Sequence, residues 1–255
     1  MHNRITCAIH QPNFFPRLST LAKLYAADVW VVLDDVQFNS RDYQHRAWLV
    51  APDGTQQQWL TLPVHKPFGR STRINEVLLA ERTKAARRVS QLVKYYYGRS
   101  PCWPLLAGPV EEVAASLTSG TRLADVAEVS TTALLDLLGW RGRVVRSSDL
   151  AARPERSARL ADLASAVGAD EYLCGTGGAK YLDVGPFEAQ GVRVRYFCPP
   201  GVGCVNRKAS ALRSVASVGP TAVETAHDAG ESRSGQSALV MSDVTQTVAY
   251  LERST

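Results

Sequence analysis

Three short segments combine residue types that can do chemistry. The first is His10-Gln11-Pro12. It follows the apolar run Ile5–Ile9, so an imidazole stands at the carboxyl end of a predicted strand, where open α/β sheets bind their ligands. A histidine fixed there suits general-base work, because its ordinary pKa lies near neutral pH. Its alternative role is to satisfy loop carbonyls. A variant of the nucleotide-binding histidine motif of adenylyl transferases is also conceivable, but two residues do not establish one. The second segment is Asp34-Asp35-Val36-Gln37-Phe38 with Arg41, His45 and Arg46 after it. Adjacent carboxylates at a strand end are costly unless a cation or a hydrogen-bond network compensates them. In extended chain their side chains point to opposite faces. One therefore faces the crevice, to hold or deprotonate a substrate amine, and the other anchors the loop to an arginine. The third segment is Tyr172-Leu173-Cys174-Gly175-Thr176-Gly177-Gly178-Ala179-Lys180-Tyr181. Closely spaced glycines followed by a lysine can cradle an anion on backbone N–H groups. The P-loop spacing G-x-x-x-x-G-K-[ST] is absent and Tyr181 stands where its Ser or Thr would be, and the G-x-G-x-x-G fingerprint also fails. Cys174 is a candidate nucleophile beside His10 or His45, though a cysteine at a strand end is commonly plain core.

The elements that must position these groups read as α/β. Residues 5–9 form a strand, Leu18 to Ala26 a helix with Leu18, Leu21, Ala22, Tyr25 and Ala26 on one face, and Val29 to Leu33 a second strand parallel to the first. Residues 47–51 and 57–62 flank Pro52-Asp53-Gly54 as a hairpin. Helices are predicted over 83–97, 105–117, 122–138 and 155–167, and strands over 143–146, 172–174 and 192–197. Tyr95-Tyr96-Tyr97 at a helix end reads as packing, and Trp103 and Trp140 as anchors of helix ends. The expected fold is a three-layer α/β domain with a mostly parallel sheet, a β-hairpin insertion and several helices. It spans residues 1–230, with 231–255 as a polar C-terminal tail.

Composition narrows the function classes. The chain has 255 residues, of which 45% are hydrophobic, 21% charged and 8% aromatic. These proportions exclude a disordered or collagen-like chain. No window approaches the about 20 apolar residues that a bilayer-spanning helix needs. The opening Met1-His2-Asn3-Arg4 has no apolar stretch resembling a secretory signal, so a cytoplasmic location is expected. The formal charge of +5 comes from arginines spread along the chain. There is no dense basic block of the kind that binds nucleic acid. Five cysteines without a C-x-x-C pair read as reduced thiols. The scattered histidines supply no metal-ligand spacing, and no motif calls for an organic cofactor.

Ala8-Ile9-His10-Gln11-Pro12-Asn13-Phe14-Phe15-Pro16, followed by Ala27-Asp28-Val29-Trp30-Val31-Val32-Leu33-Asp34-Asp35-Val36-Gln37-Phe38, resembles the opening of the WbqC-like family. Gln58-Trp59-Leu60-Thr61-Leu62-Pro63-Val64 is similar to that family's hairpin, as is Gly168 through Gly178 to Asp183. The likeness runs over roughly residues 5–197 and is most specific at its start. Two departures stand out. His45-Arg46 replaces the family's Asn-Arg pair, and Phe197-Cys198-Pro199-Pro200-Gly201-Val202-Gly203 replaces a His-, Tyr- and Pro-rich segment. The resemblance implies a setting among genes for surface glycans or natural products. The high Arg-to-Lys ratio and the abundance of Ala and Val tilt towards a natural-product cluster.

The expected function is a biosynthetic enzyme without an organic cofactor, acting on an amino-bearing anionic intermediate by acyl-type transfer or ring closure. Asp34 or Asp35, or alternatively His10 or His45, would be the base. Gln11, Gln37, Arg41, Arg46, Tyr172, Gly175, Thr176, Gly177, Gly178, Lys180 and Tyr181 would bind the substrate, free or tethered to an acidic carrier protein. The competing expectation is a non-catalytic or co-catalytic subunit that docks such a carrier or a partner enzyme as a hetero-oligomer. A third expectation is nucleotide transfer.

Overall fold

A computed structural model describes residues 4–175, 178, 180–197 and 208–221. Strand β1 (Thr6–His10), helix α1 (Leu18–Tyr25) and strand β2 (Val29–Val32) form the opening unit. The hairpin β3 (Arg46–Val50) and β4 (Gln57–Thr61) follows, then the two-residue strands β5 (Val64–His65) and β6 (Leu78–Leu79). Three helices come next, α2 (Arg82–Tyr97), α3 (Trp103–Ser119) and α4 (Leu123–Leu137). The chain re-enters the sheet as β7 (Arg143–Arg146), crosses by α5 (Arg156–Ala166) to β8 (Glu171–Gly175), then by the short α6 (Gly185–Glu188) to β9 (Arg193–Phe197), and α7 (Ala211–Val218) follows.

The five long-range strands make one parallel sheet in the order β7-β2-β1-β8-β9. The chain winds outward from β1 through β2 to β7, then returns to the other side of β1 for β8 and β9. Right-handed crossovers make this reversal change the face that the helices cover. The packing agrees. Ala8, Trp30, Val32 and Leu173 face a core shared with α1, α2, α3, α4 and α7. Cys7, Ile9, Val29, Val31, Tyr172 and Cys174 face a second core with α5 and Phe187. The period-two alternation of strand side chains therefore builds three layers, as the sequence predicts. Val29–Val32 is buried on both faces, which explains its unbroken apolar run.

Helix and strand boundaries fall within a few residues of those predicted. The Asp53-Gly54 turn forms as expected, with Gly54 at φ 78° and the Asp53 carboxylate accepting from the Thr55 N–H and hydroxyl. Trp140 anchors its helix end by donating to the Ala27 carbonyl at 2.7 Å. Of the tyrosine triplet, Tyr96 and Tyr97 are core, whereas Tyr95 is exposed. The β5–β6 pair is not foreseen by sequence, because two-residue strands carry no periodicity. Residues 222–255, which include the polar tail expected over 231–255, lie outside the described residues. No helix among them is long and apolar enough to cross a membrane.

Candidate active site

Between β1 and β8 the ladder is short. Thr6 pairs with Glu171 and Cys7 with Tyr172, and there the pairing stops. By contrast β1 pairs with β2 as far as His10, and β8 pairs with β9 along all five residues. The two central strands therefore part company over their carboxyl halves, at the place where strand order reverses. That reversal leaves the crevice in which doubly wound sheets bind ligands. His10 and Gly175 end the two strands that border it.

Lys23 of α1 fills the opened ladder. Its side chain is buried, and its ammonium donates to the Ile9 carbonyl at 3.2 Å. Gly175 lies against it, since a Cβ at that position would touch both Cδ and Nζ of Lys23 at 3.6 Å, an ordinary contact distance. No carboxylate pairs with this ammonium among the described residues. Burial lowers its pKa to about 8, against weak attraction from the Cys174 and Cys7 sulfurs. The thiols respond in the opposite sense. Burial pushes Cys7 up to about 12 and raises Cys174, while the lysine pulls both back. Cys174 is thus a protonated thiol in an apolar wall, a poor nucleophile. Gly178 packs against it so closely that a Cβ would meet the sulfur at 2.8 Å.

His10 is half-buried, with Nδ1 2.8 Å from the Gln11 carbonyl. A carbonyl only accepts, so Nδ1 carries the proton and Nε2 is left as an acceptor. Burial drives the imidazole pKa down to about 3, helped by the positive charges of Lys23 and Arg17. Arg17, just before α1, stacks its guanidinium 4.7 Å from the Tyr43 ring centre, and its buried Nε makes no hydrogen bond among the described residues. A neutral base, a lysine and an arginine thus lie close enough to act on one another at one end of the sheet.

The two aspartates sit elsewhere. Asp34 is buried and accepts from the Ser147 hydroxyl at 3.2 Å, the Ser148 N–H at 3.1 Å and the Ser148 hydroxyl at 2.9 Å. Asp35 accepts from the Ser147 hydroxyl at 2.6 Å and pairs with Arg159 of α5. Against the opposing effect of burial, these bonds hold its carboxyl below the ordinary range. The pair ties the end of β2 to the turn after β7, and its acceptor sites are occupied by that work.

A second group lines an open cleft of about 480 Å³, bounded by Gln11, Gln37, Phe38, Asn39, Ser40, Asp42, Lys66, Gly69 and Arg70. His45 lies under it, buried edge-on against Phe38 with Nδ1 unbonded among the described residues. Its pKa falls to about 4 through burial and the nearby Arg46 and Lys66 charges. Arg46 is spent on the loop, donating to the Arg41 and Asp42 carbonyls and lying 4.1 Å over Trp59. Arg41 is exposed. Tyr172 is buried and stacks on Phe187 at 5.1 Å, which makes it core. Lys180 and Tyr181 are exposed, with Arg156 over the Tyr181 ring. Thr176 and Gly177 lie outside the described residues. The structure thus brings together His10, Gln11, Gly175 and Gly178, sets Gln37 and His45 about the adjoining cleft, and turns Asp34 and Asp35 towards β7. Lys23, Arg17 and Gln44 are not singled out by the sequence reading. In sequence Lys23 is one charge in an amphipathic helix, a position that ordinarily faces water.

A family model described as the WbqC-like protein family matches residues 11–201. The Mycobacterium tuberculosis protein Rv1507c, itself described only as uncharacterized, is 25% identical over 190 residues, covering 74% of this chain and 80% of the relative. No solved structure matches the chain significantly. The matched span holds the β1 loop from Gln11, the Asp34–Arg46 segment and the glycine loop after β8, and on that extent the chain belongs to the WbqC-like protein family.

Proposed function

We propose that this chain is a biosynthetic enzyme that joins the amine of an anionic small molecule to an acyl-type carbon in the crevice between β1 and β8. The observation that carries the reading is the buried Lys23, without a carboxylate partner among the described residues, lying in the opened ladder beside a neutral His10. A buried ammonium without a counter-ion is costly, so a fold tolerates one chiefly where a ligand supplies the negative charge. Lys23 and Arg17 would hold the substrate's carboxylate or phosphate. Nε2 of His10 would take the amine proton.

Chemically, the amine nitrogen attacks the carbonyl carbon of an ester or thioester donor, forming the C–N bond. The C–O or C–S bond breaks, and the leaving group departs with the electron pair. The proton lost by nitrogen passes to His10 Nε2 and then to the leaving group. If donor and amine belong to one molecule, the same step closes a ring. An imidazole of depressed pKa can serve, because the nitrogen becomes strongly acidic only as the bond forms. Anion binding beside Lys23 and Arg17 would also offset the two charges that depress it. General-base catalysis is worth about 100- to 10,000-fold. His10→Asn should therefore lose at least 100-fold in amide or lactam formation, scored by mass spectrometry across a panel of amino acids and thioester donors, with unchanged melting temperature. Wild-type rates in that variant would overturn the assignment.

One surface favours the second reading, a subunit that docks an acidic carrier or partner enzyme. The outer face of α2 carries Arg87, Arg88 and Lys94, all exposed and free of ion pairs among the described residues, with Tyr95 exposed beside Lys94 and Arg99 exposed in the turn that follows. Such a stripe complements an acidic helix. Charge reversal at Arg88 and Lys94 would abolish co-elution with an acidic carrier while leaving His10-dependent turnover of free substrates intact.

A further inference from the structure

The cleft beside the crevice presents a fixed set of hydrogen-bonding groups whose orientation follows from one backbone donor. The Asn39 N–H points at the side chain of Gln44, 2.9 Å away. An N–H only donates, so the Gln44 amide must turn its oxygen there and its NH₂ outward. That NH₂ donates to Gln11 Oε1 at 2.8 Å, which obliges Gln11 to present its own NH₂ to the cleft. Gln44 is completely buried, so the relay is locked. Gln37, which also lines the cleft, donates through Nε2 to the Arg70 carbonyl at 2.7 Å, leaving its Oε1 as an acceptor. Asn39 Oδ1 accepts from the Arg41 N–H at 2.9 Å, which frees the Asn39 NH₂. The Asp42 carboxylate keeps one oxygen beyond its bond to the Tyr43 N–H. Lys66 and Arg70 add two positive charges at the rim.

We infer that this cleft binds a polyhydroxylated, negatively charged group, a sugar phosphate in chemical class, as the recognition part of the substrate. Alternating rigid donors and acceptors match vicinal hydroxyls, each of which both gives and takes a hydrogen bond. A simple anion needs donors alone, and an apolar ligand would strand the amides unsatisfied. The cleft volume of about 480 Å³ falls within the ordinary range for small-molecule sites. Gln11 follows His10 directly, and its carbonyl holds the imidazole, so a ligand on the Gln11 amide would lie next to the proposed reacting centre. This inference rests on the crevice being the reactive site, but its test does not.

The test is isothermal titration of the full chain with hexose phosphates and nucleotide sugars, and with free hexose, inorganic phosphate and glutamate as separate probes. A sugar phosphate should bind at least tenfold tighter than hexose or phosphate alone. Gln11→Leu and Gln37→Leu should each weaken it at least tenfold without changing the melting temperature, whereas His10→Asn should leave it within threefold. Gln44→Leu should reproduce the Gln11 effect, and if that variant does not fold, the variants at half-buried Gln11 and exposed Gln37 decide. Binding of phosphate as tight as sugar phosphate, indifference to Gln11, or no heat with any sugar phosphate would each overturn the inference. If sugar phosphates fail while His10→Asn still stops amide formation, only the cleft assignment falls. If they bind through Gln11 while His10→Asn remains fully active, the cleft stands and the reaction assignment falls.

Discussion

Acidification from pH 7 to pH 5 should weaken this fold through two histidines, and the size of the loss follows from their surroundings. An unfolded imidazole titrates near 6.5, whereas His10 is held to about 3 and His45 to about 4, both chiefly by burial. Between those values the unfolded chain binds protons that the folded chain refuses. Stability therefore rises with pH through this window and is lost as pH falls below 6.5. Each pH unit is worth about 1.4 kcal/mol per group, so the step to pH 5 costs about 2 kcal/mol for each histidine. Because His10 keeps some contact with solvent, about 3 kcal/mol for the pair is the better figure. That is a large share of the ~5–15 kcal/mol typical of a domain. Carboxylates contribute little above pH 5, since unfolded Asp and Glu titrate near 4. Urea unfolding at both pH values, on wild type, His10→Asn, His45→Asn and the double variant, measures the effect. The double variant should lose less than about 1 kcal/mol over the same step. An equal loss in wild type and double variant would refute the account of both imidazoles as held neutral by their surroundings.

Other outcomes follow from the same geometry. Lys23→Met should leave stability unchanged or raise it by about 1–3 kcal/mol in urea unfolding, because a buried unpaired charge is replaced by an apolar chain of similar length, while amide formation falls steeply. A marked loss of stability would make Lys23 a structural strut. Gly178→Ala should destabilise by about 1–3 kcal/mol through the clash with Cys174 Sγ, and adding Cys174→Ala should restore most of it in a double-mutant cycle. Asp35→Ala strands the partly buried Arg159 and should lower stability by about 2–4 kcal/mol, with the surviving folded fraction retaining turnover. Loss of turnover in a well-folded Asp35→Asn would return that carboxylate to the chemistry.

The fold is legible where local pattern and burial agree. Val29–Val32 reads as a central strand because both faces are covered, and Leu18 to Tyr25 as a helix because Leu21, Ala22 and Tyr25 share a face. The strand order is not local. Nothing in residues 171–175 announces that they will lie against β1 rather than extend the sheet beyond β7, yet that choice creates the crevice. The β5–β6 contact fails for a related reason, since its pairing of Val64 with Leu79 is a tertiary event with no period to detect.

The site divides along the same line. His10 and the glycines at 175 and 178 are legible because strand ends in an α/β pattern are where loops open, whatever the order of the strands. Asp34 and Asp35 look like reacting groups in sequence, because carboxylates carry the same signal whether they meet a substrate or Ser147, Ser148 and Arg159, which lie more than a hundred residues away. Lys23 shows the reverse. On a helical wheel it belongs to the polar stripe with Thr20, and a lysine there normally faces water. Both residues are buried because α1 is packed by α4 and α7 as well as by the sheet. With water excluded, the ammonium's hydrogen-bond partner among the described residues is the Ile9 carbonyl, left open where β8 stops pairing with β1. The lysine's cost and the crevice therefore have one origin, the early end of that ladder. Zipping β8 onto β1 as far as His10 would use the carbonyl that Lys23 needs and close the space that a substrate would enter.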